Sequence, residues 1–227
     1  MMNIKKYWKK RGFLISLPIS IYFNFYYLPF KQAIRLPILL FKPKLLKLKG
    51  KIILNTSNIY PGMIRLGYPL VSIYPNNGIS IENKGGTIIF KGKCNIGNNS
   101  FLSIGDESRV VFGDDFLASS TFRLVVTTEV IFGMKVRLGW GAIVIDTNFH
   151  QIRDLTNNDL KDFCGPIKIG DYNWFGLECT IMHSVETPER CIFGLKSIIT
   201  RGAEFKSYCI HAGEPLRIIK SNVIRDY

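Results

Sequence analysis

The sequence predicts an all-β chain, wound as a parallel coil of short strands, with a basic, apolar N-terminal arm and a short C-terminal tail. Three observations predict it. A large or β-favouring residue recurs every six positions over long stretches, glycine often follows it, and 20 glycines with 10 prolines supply many turns. A period of six fits neither the 3.6-residue period of a helix nor the uneven spacing of a hairpin meander.

The rhythm is clearest from residue 169 onward, at Ile169, Phe175, Ile181, Thr187, Phe193 and Ile199, with Gly170, Gly176 and Gly194 following three of them. It also appears at Phe132, Leu138 and Val144, and at Phe90, Ile96 and Leu102. Between these runs, "SIGDES" and "VFGDDF" keep the motif with slips in phase. The physical reading is a coil with three flat sides, one hexad to a side. Each side turns one large residue inward, and the glycine or small polar residue lets the chain round the corner. Stacked turns then pair strand on strand and bury a column of Ile, Val, Leu and Phe. A β-sandwich would instead want hairpin turns such as Asn-Gly, and "PNNGISI" (75–81) offers one such signal against many hexads.

The 227 residues suit one sizeable domain with an appended arm, and 47% hydrophobic residues exclude a wholly disordered chain. Five cysteines, an odd number without a C-x-x-C pair, read as the reduced thiols of a cytosolic protein. The net charge of +13 is lopsided: residues 1–81 hold 13 Lys and Arg and no acid, whereas residues 82–227 balance 17 bases with 17 acids. The apolar runs between these bases set the arm apart from a nucleic-acid-binding tail. Residues 1–51 are assigned to the arm, 52–220 to the coil domain with a polar loop at 151–166, and 221–227 to the tail.

Within the arm, the run from Phe13 to Phe30 carries no charged side chain and follows "KKYWKKR". As a membrane span it is short, and Pro18 and Asn24 weaken it. As a signal peptide it lacks a small-residue cleavage site. Its mixture of cations and aromatic rings suits an element lying at a membrane surface, on the inner face of a cytoplasmic membrane. Pro37 and Pro43 prevent one long helix through the segment that follows. Packing of the arm on its own domain or on a sister subunit stays open beside that reading.

Three motifs carry a resemblance. "PIKIGDYNWFGLECTI" (166–181), "FGLKSIITRG" (193–202) and "IHAGEPLRIIK" (210–220) resemble segments of the hexapeptide-repeat acyltransferases. The likeness covers roughly residues 85–220. "YFNFYYLPFKQAIRLPILLFKP" (22–43) is similar to the lead-in of the subgroup associated with capsular and other surface polysaccharides. The resemblance implies a left-handed coil, an exception to the right-handed crossover rule. It also implies a homotrimer with clefts between subunits, and acetyl-CoA as acyl donor.

"DTNFHQI" (146–152) resembles the family's Asp-Thr-Asp-x-His segment, which makes His150 the expected general base. The chemistry asks for imidazole, because it titrates near neutral pH and can take the proton of a sugar hydroxyl attacking a thioester. Asp146, or a neighbouring carbonyl, is the expected orienting group for its tautomer. Asn148 stands where the family often has a second Asp and, with Trp140, is assigned to the acceptor. By the same resemblance Trp174, Gly176, Ser197, Thr200, Arg201, Pro215 and Arg217 are assigned to coenzyme A. Glu214, in place of the usual Asn, puts an anion near the expected phosphates.

His183 and His211 are read as surface or corner residues. Three histidines on such a coil raise a zinc-binding rival, but His150, His183 and His211 lie too far apart in sequence for the closely spaced ligands of that class. No metal is expected. No nucleotide-binding β-α-β unit precedes the coil, which argues against a sugar-nucleotide pyrophosphorylase. The expected activity is O-acetylation of a sugar hydroxyl on a surface polysaccharide or its precursor. N-acetylation of an amino sugar and a non-catalytic glycan- or membrane-binding scaffold are the alternatives.

Overall fold

The computed structural model describes residues 4–71 and 73–226, with side chains from Leu14 onward; the side chains of the basic start, residues 5–11, lie outside those described. A parallel β-helix forms the body. Its first face runs from the strand Ile38–Leu40 to Cys209–Ala212 and is closed by the antiparallel strand Arg217–Ser221. The second face runs from Pro43–Leu48 to Ile198–Ile199, and the third from Lys51–Leu54 to Val185–Thr187.

The register explains the six-residue rhythm. Phe175 pairs with Phe193, Ile181 with Ile199 and Ile167 with Val185, each partner standing three hexads further along the chain. Upstream the coils are longer: Val110 pairs with Val130 and Leu102 with Leu124, both spacings exceeding three hexads. Those extra corner residues are the slips in phase around "SIGDES" and "VFGDDF". Every residue of the three sequence runs is buried, Ile169 and Thr187 being the most exposed at 3%.

The column they form is aromatic as well as aliphatic. Phe90, Phe112 and Phe132 stack with centroids 5.2 and 5.5 Å apart, and Phe175 lies 4.5 Å above Phe193 with planes 3° apart. Such pairs contribute about 0.5–1.5 kcal/mol each beyond their buried area.

The corners differ from the expectation. The left-handed backbone falls on Tyr172, Glu178, Ser184, Arg190 and Lys196, six apart, with φ between 54° and 60°. The glycines two residues before three of these corners answer a different need. A Cβ on Gly176 would sit 2.8 Å from the Leu195 nitrogen, and one on Gly170 would sit 2.5 Å from the Pro188 carbonyl carbon. These glycines let successive coils approach, while larger residues take the strained turn at about 1–2 kcal/mol each.

The coil begins at Ile38, ahead of the expected boundary at residue 52. The lysines between them hid the strands: Lys44 and Lys47 are exposed, while Leu45 and Leu48 pack against the core. In front of this first coil lie helix α1 (Ile4–Tyr27) and the short helix α2 (Phe30–Ala33). An edge strand needs partners for its free backbone groups, and α1 supplies them. Ser16 Oγ accepts from Lys42 N at 2.9 Å and Ser20 Oγ from Leu40 N at 3.0 Å. Asn24 accepts from Ile38 N at 3.1 Å and donates to Ile38 O at 2.7 Å. Serine and asparagine, spaced one helical turn apart, thus stand in for a missing strand. Among the described residues no helix is long and apolar enough to cross a membrane.

At the other end, His211 is fully buried, contrary to its reading as a surface or corner residue. Its ring stacks 5.1 Å from Phe193 and ends the column. Nε2 accepts from Lys206 N at 3.1 Å, so Nδ1 carries the proton, and Nδ1 has no partner. Burial therefore pushes the imidazole below its ordinary 6.5 and keeps it neutral. The unfolded chain protonates near 6.5, so this contribution is complete above that pH and is lost as pH falls towards the lower folded-state value. Thermal melts should show stability falling as pH drops below about 6.5, and His211→Leu should flatten that slope.

Candidate functional site

In the fifth coil the wall opens. The chain leaves after the strand Ile143–Ile145, runs out through residues 146–166 and rejoins at Ile167–Ile169. An antiparallel pair, Ile152–Arg153 with Leu160–Lys161, stiffens the excursion, and a bridge between Thr147 and Cys164 draws its two feet together. The excursion takes in residues 151–166.

Asp146 anchors the leaving foot. Its carboxylate is fully buried; Oδ1 accepts from Thr127 N (2.7 Å) and Thr127 Oγ1 (2.9 Å), and Oδ2 from Thr128 N (2.7 Å) and Thr128 Oγ1 (2.8 Å). Both oxygens are committed to the corner of the coil below. The expectation that Asp146 orients His150 is therefore corrected: it clamps the loop to the wall. Thr147 Oγ1 then accepts from Phe149 N at 2.9 Å, and Phe149 adopts a left-handed backbone with φ 61°. That turn presents His150 to solvent.

Asn148 has a partner that reading along the sequence missed. Its amide lies 3.1 Å from His183 Nε2, and His183 Nδ1 lies 3.1 Å from Ser184 Oγ. With Asn148 donating, His183 carries its proton on Nδ1 and donates to Ser184. His183 is 7% exposed, so it is largely buried beside the corner at Ser184 and is not a surface residue. The only signal for it is register: Val144 pairs with Ile181 across the loop, so residue 183 rises beside the loop's foot. Trp140 lies in the corner entering Ile143–Ile145, where it packs edge-on against Tyr74 with centroids 5.8 Å apart.

The residues assigned to coenzyme A divide. Thr200, Arg201 and Pro215 line one hollow of about 580 Å³ near the last coil, together with Ile198 and Leu216. Trp174, Gly176, Ser197 and Arg217 do not line it. Ser197 is fully buried with an unpartnered hydroxyl, directly above Cys179 in the inward column, so its assignment to the cofactor is corrected. Gly176 serves coil contact, and Arg217 is exposed on the closing strand. Trp174 is partly exposed on the first face, with the Arg225 guanidinium 4.7 Å over its ring. Arg201 also lies 3.9 Å from Asp162, so the loop reaches the rim of the hollow. The apolar walls and the Thr200 hydroxyl fit a pantetheine arm, and Arg201 offers a cation for phosphate. Glu204 and Glu214 face the same hollow and confine an anion to the Arg201 side. No cluster of three or more metal-ligating side chains occurs among the described residues.

Three flat faces, coils of three hexads towards the C-terminal end and longer ones before them, and a loop thrown from one corner match the left-handed parallel β-helix built of hexapeptide repeats. The polySia specific acetyltransferase NeuO shares this fold, with a TM-score of 0.52 and 22% identity over 82% of this chain and 76% of that one. In sequence, an "Uncharacterized 24.8 kDa protein in cps region" of Klebsiella pneumoniae is 26% identical over 177 residues, 78% of each chain. No family model matches the chain.

Asp146→Ala should leave four donors of Thr127 and Thr128, on an exposed and a half-buried residue, without the buried carboxylate that accepts from them. A loss of about 1–3 kcal/mol is expected in denaturant unfolding. Asn148→Ala, which removes one polar contact, should cost about 1 kcal/mol.

Proposed function

We propose that the chain transfers an acetyl group from acetyl-CoA to a sugar hydroxyl of a surface polysaccharide or its precursor. The observation that carries this reading is the loop at 146–150. The fifth coil opens at residues 146–166, both feet of the excursion are clamped, and His150 is the exposed one of the three histidines. The fold shared with an acetyltransferase that modifies polysialic acid supports acyl transfer. The relative in a cps region supports a capsular or other surface glycan as acceptor.

In the proposed reaction His150 takes the acceptor hydroxyl proton as that oxygen attacks the thioester carbonyl. The carbon–sulfur bond then breaks, and the proton returns to the departing thiolate. Asn148, held by His183, offers its amide oxygen to an acceptor hydroxyl. Thr200, Arg201 and Pro215 hold the donor's arm and a phosphate. The unit is a homotrimer in which a neighbouring wall completes each cleft, a heterologous contact that closes on itself.

The test is acceptor-dependent thiol release from acetyl-CoA. His150→Ala should lower turnover about 10²–10⁴-fold while coenzyme A binding persists. A non-catalytic glycan-binding coil would instead give no acceptor-dependent release in either protein, and unchanged turnover in the variant would remove His150 from the mechanism.

A further inference from the structure

Helix α1 inverts the usual surface helix, which hides apolar residues and shows polar ones. Its polar side chains Ser16, Ser20 and Asn24 are buried against the strand Ile38–Leu40. Apart from Phe23, which packs into the core, its large apolar side chains lie mostly outward: Ile15 is 67% exposed, Tyr22 52% and Phe25 46%, and Phe30 at the start of α2 is 68% exposed. The inward bonds leave this helix no freedom to roll its apolar face under. Tyr26, which stacks on Tyr22 at 5.7 Å, donates to Leu48 O at 2.9 Å and fixes the outer face to the first coil.

The charge around this face has one sign. Lys31, Arg35, Lys42 and Lys44 are exposed or half-exposed beside it, and no acid occurs before Glu82. A second copy laid against the same face would bring cation against cation, with no carboxylate from residues 1–81 to pair them. An anionic bilayer complements both properties, taking aromatic rings at headgroup depth and cations at the lipid phosphates. We propose that the outer face of α1 and α2, with these cations, docks the N-terminal end of the coil flat on an anionic membrane. The segment lies in the interface and does not cross it. This inference stands apart from the acyl-transfer reading, since it concerns the opposite end of the chain and is read without any turnover.

The experiment is sedimentation of the full chain with phosphatidylcholine vesicles, with and without phosphatidylglycerol. The chain should pellet with phosphatidylglycerol vesicles at low salt and leave them at high salt. K31E/K44E should weaken binding at least tenfold, and Phe25→Ser/Phe30→Ser should abolish it, with melting temperature and sedimentation velocity in lipid-free buffer unchanged. Three results would each overturn the proposal: wild type ignoring phosphatidylglycerol at low salt, K31E/K44E binding as wild type does, or the phenylalanine variant altering the oligomeric state. If the phenylalanine variant does not fold, the lysine variant decides alone, because both of its side chains are exposed.

Discussion

Each coil must set its inward side chains directly over those of the coil below, and the rest of the molecule follows from that requirement. Phe175 over Phe193, and Ile181 over Ile199, pin the register at three hexads to a coil. Glycines at 170 and 176 allow the backbones to close to that spacing, and the corners accept left-handed strain in return. A slip of one residue along such a strand would turn the column outward. The walls are therefore rigid, and rigid walls can hold a loop at a defined place.

A stack of this kind has two open ends, and the chain closes each with side chains that do the work of a missing coil. At the start, Ser16, Ser20 and Asn24 satisfy the edge strand from a helix. At the finish, His211 lies flat on Phe193 and an antiparallel strand turns back over the last edge. Between them the wall opens for residues 146–166, and Asp146 ties that opening to the coil before it. The same logic, backbone groups that must find partners, thus places both the end caps and the candidate catalytic loop.

Much of this was legible in the sequence, and what was not has identifiable reasons. The hexads reported the inward column because burial selects large residues at a fixed period, and all of them are buried. The start of the coil was hidden because Lys44 and Lys47 project outward from a strand whose inward Leu45 and Leu48 follow no clean hexad. Residues 146–150 stood out as a break in pattern, yet the partner of Asp146 lies at 127–128 and that of Asn148 at 183, in neighbouring coils. Contacts set by stacking across a loop leave no local trace. Ser197 misled for a related reason: a small polar residue at a corner reads the same whether it faces a ligand or the column, and here it faces the column.

The central claim is that a hydroxyl of a surface glycan receives an acetyl group at the cleft containing His150. The most direct measurement is mass spectrometry of capsular-type oligosaccharides, acidic ones included, after incubation with isotopically labelled acetyl-CoA and the full chain. Label on the glycan that mild base removes, absent with His150→Ala, is the result predicted for an oxygen ester made at this site. Label that resists base, or label that persists undiminished in the variant, would contradict it.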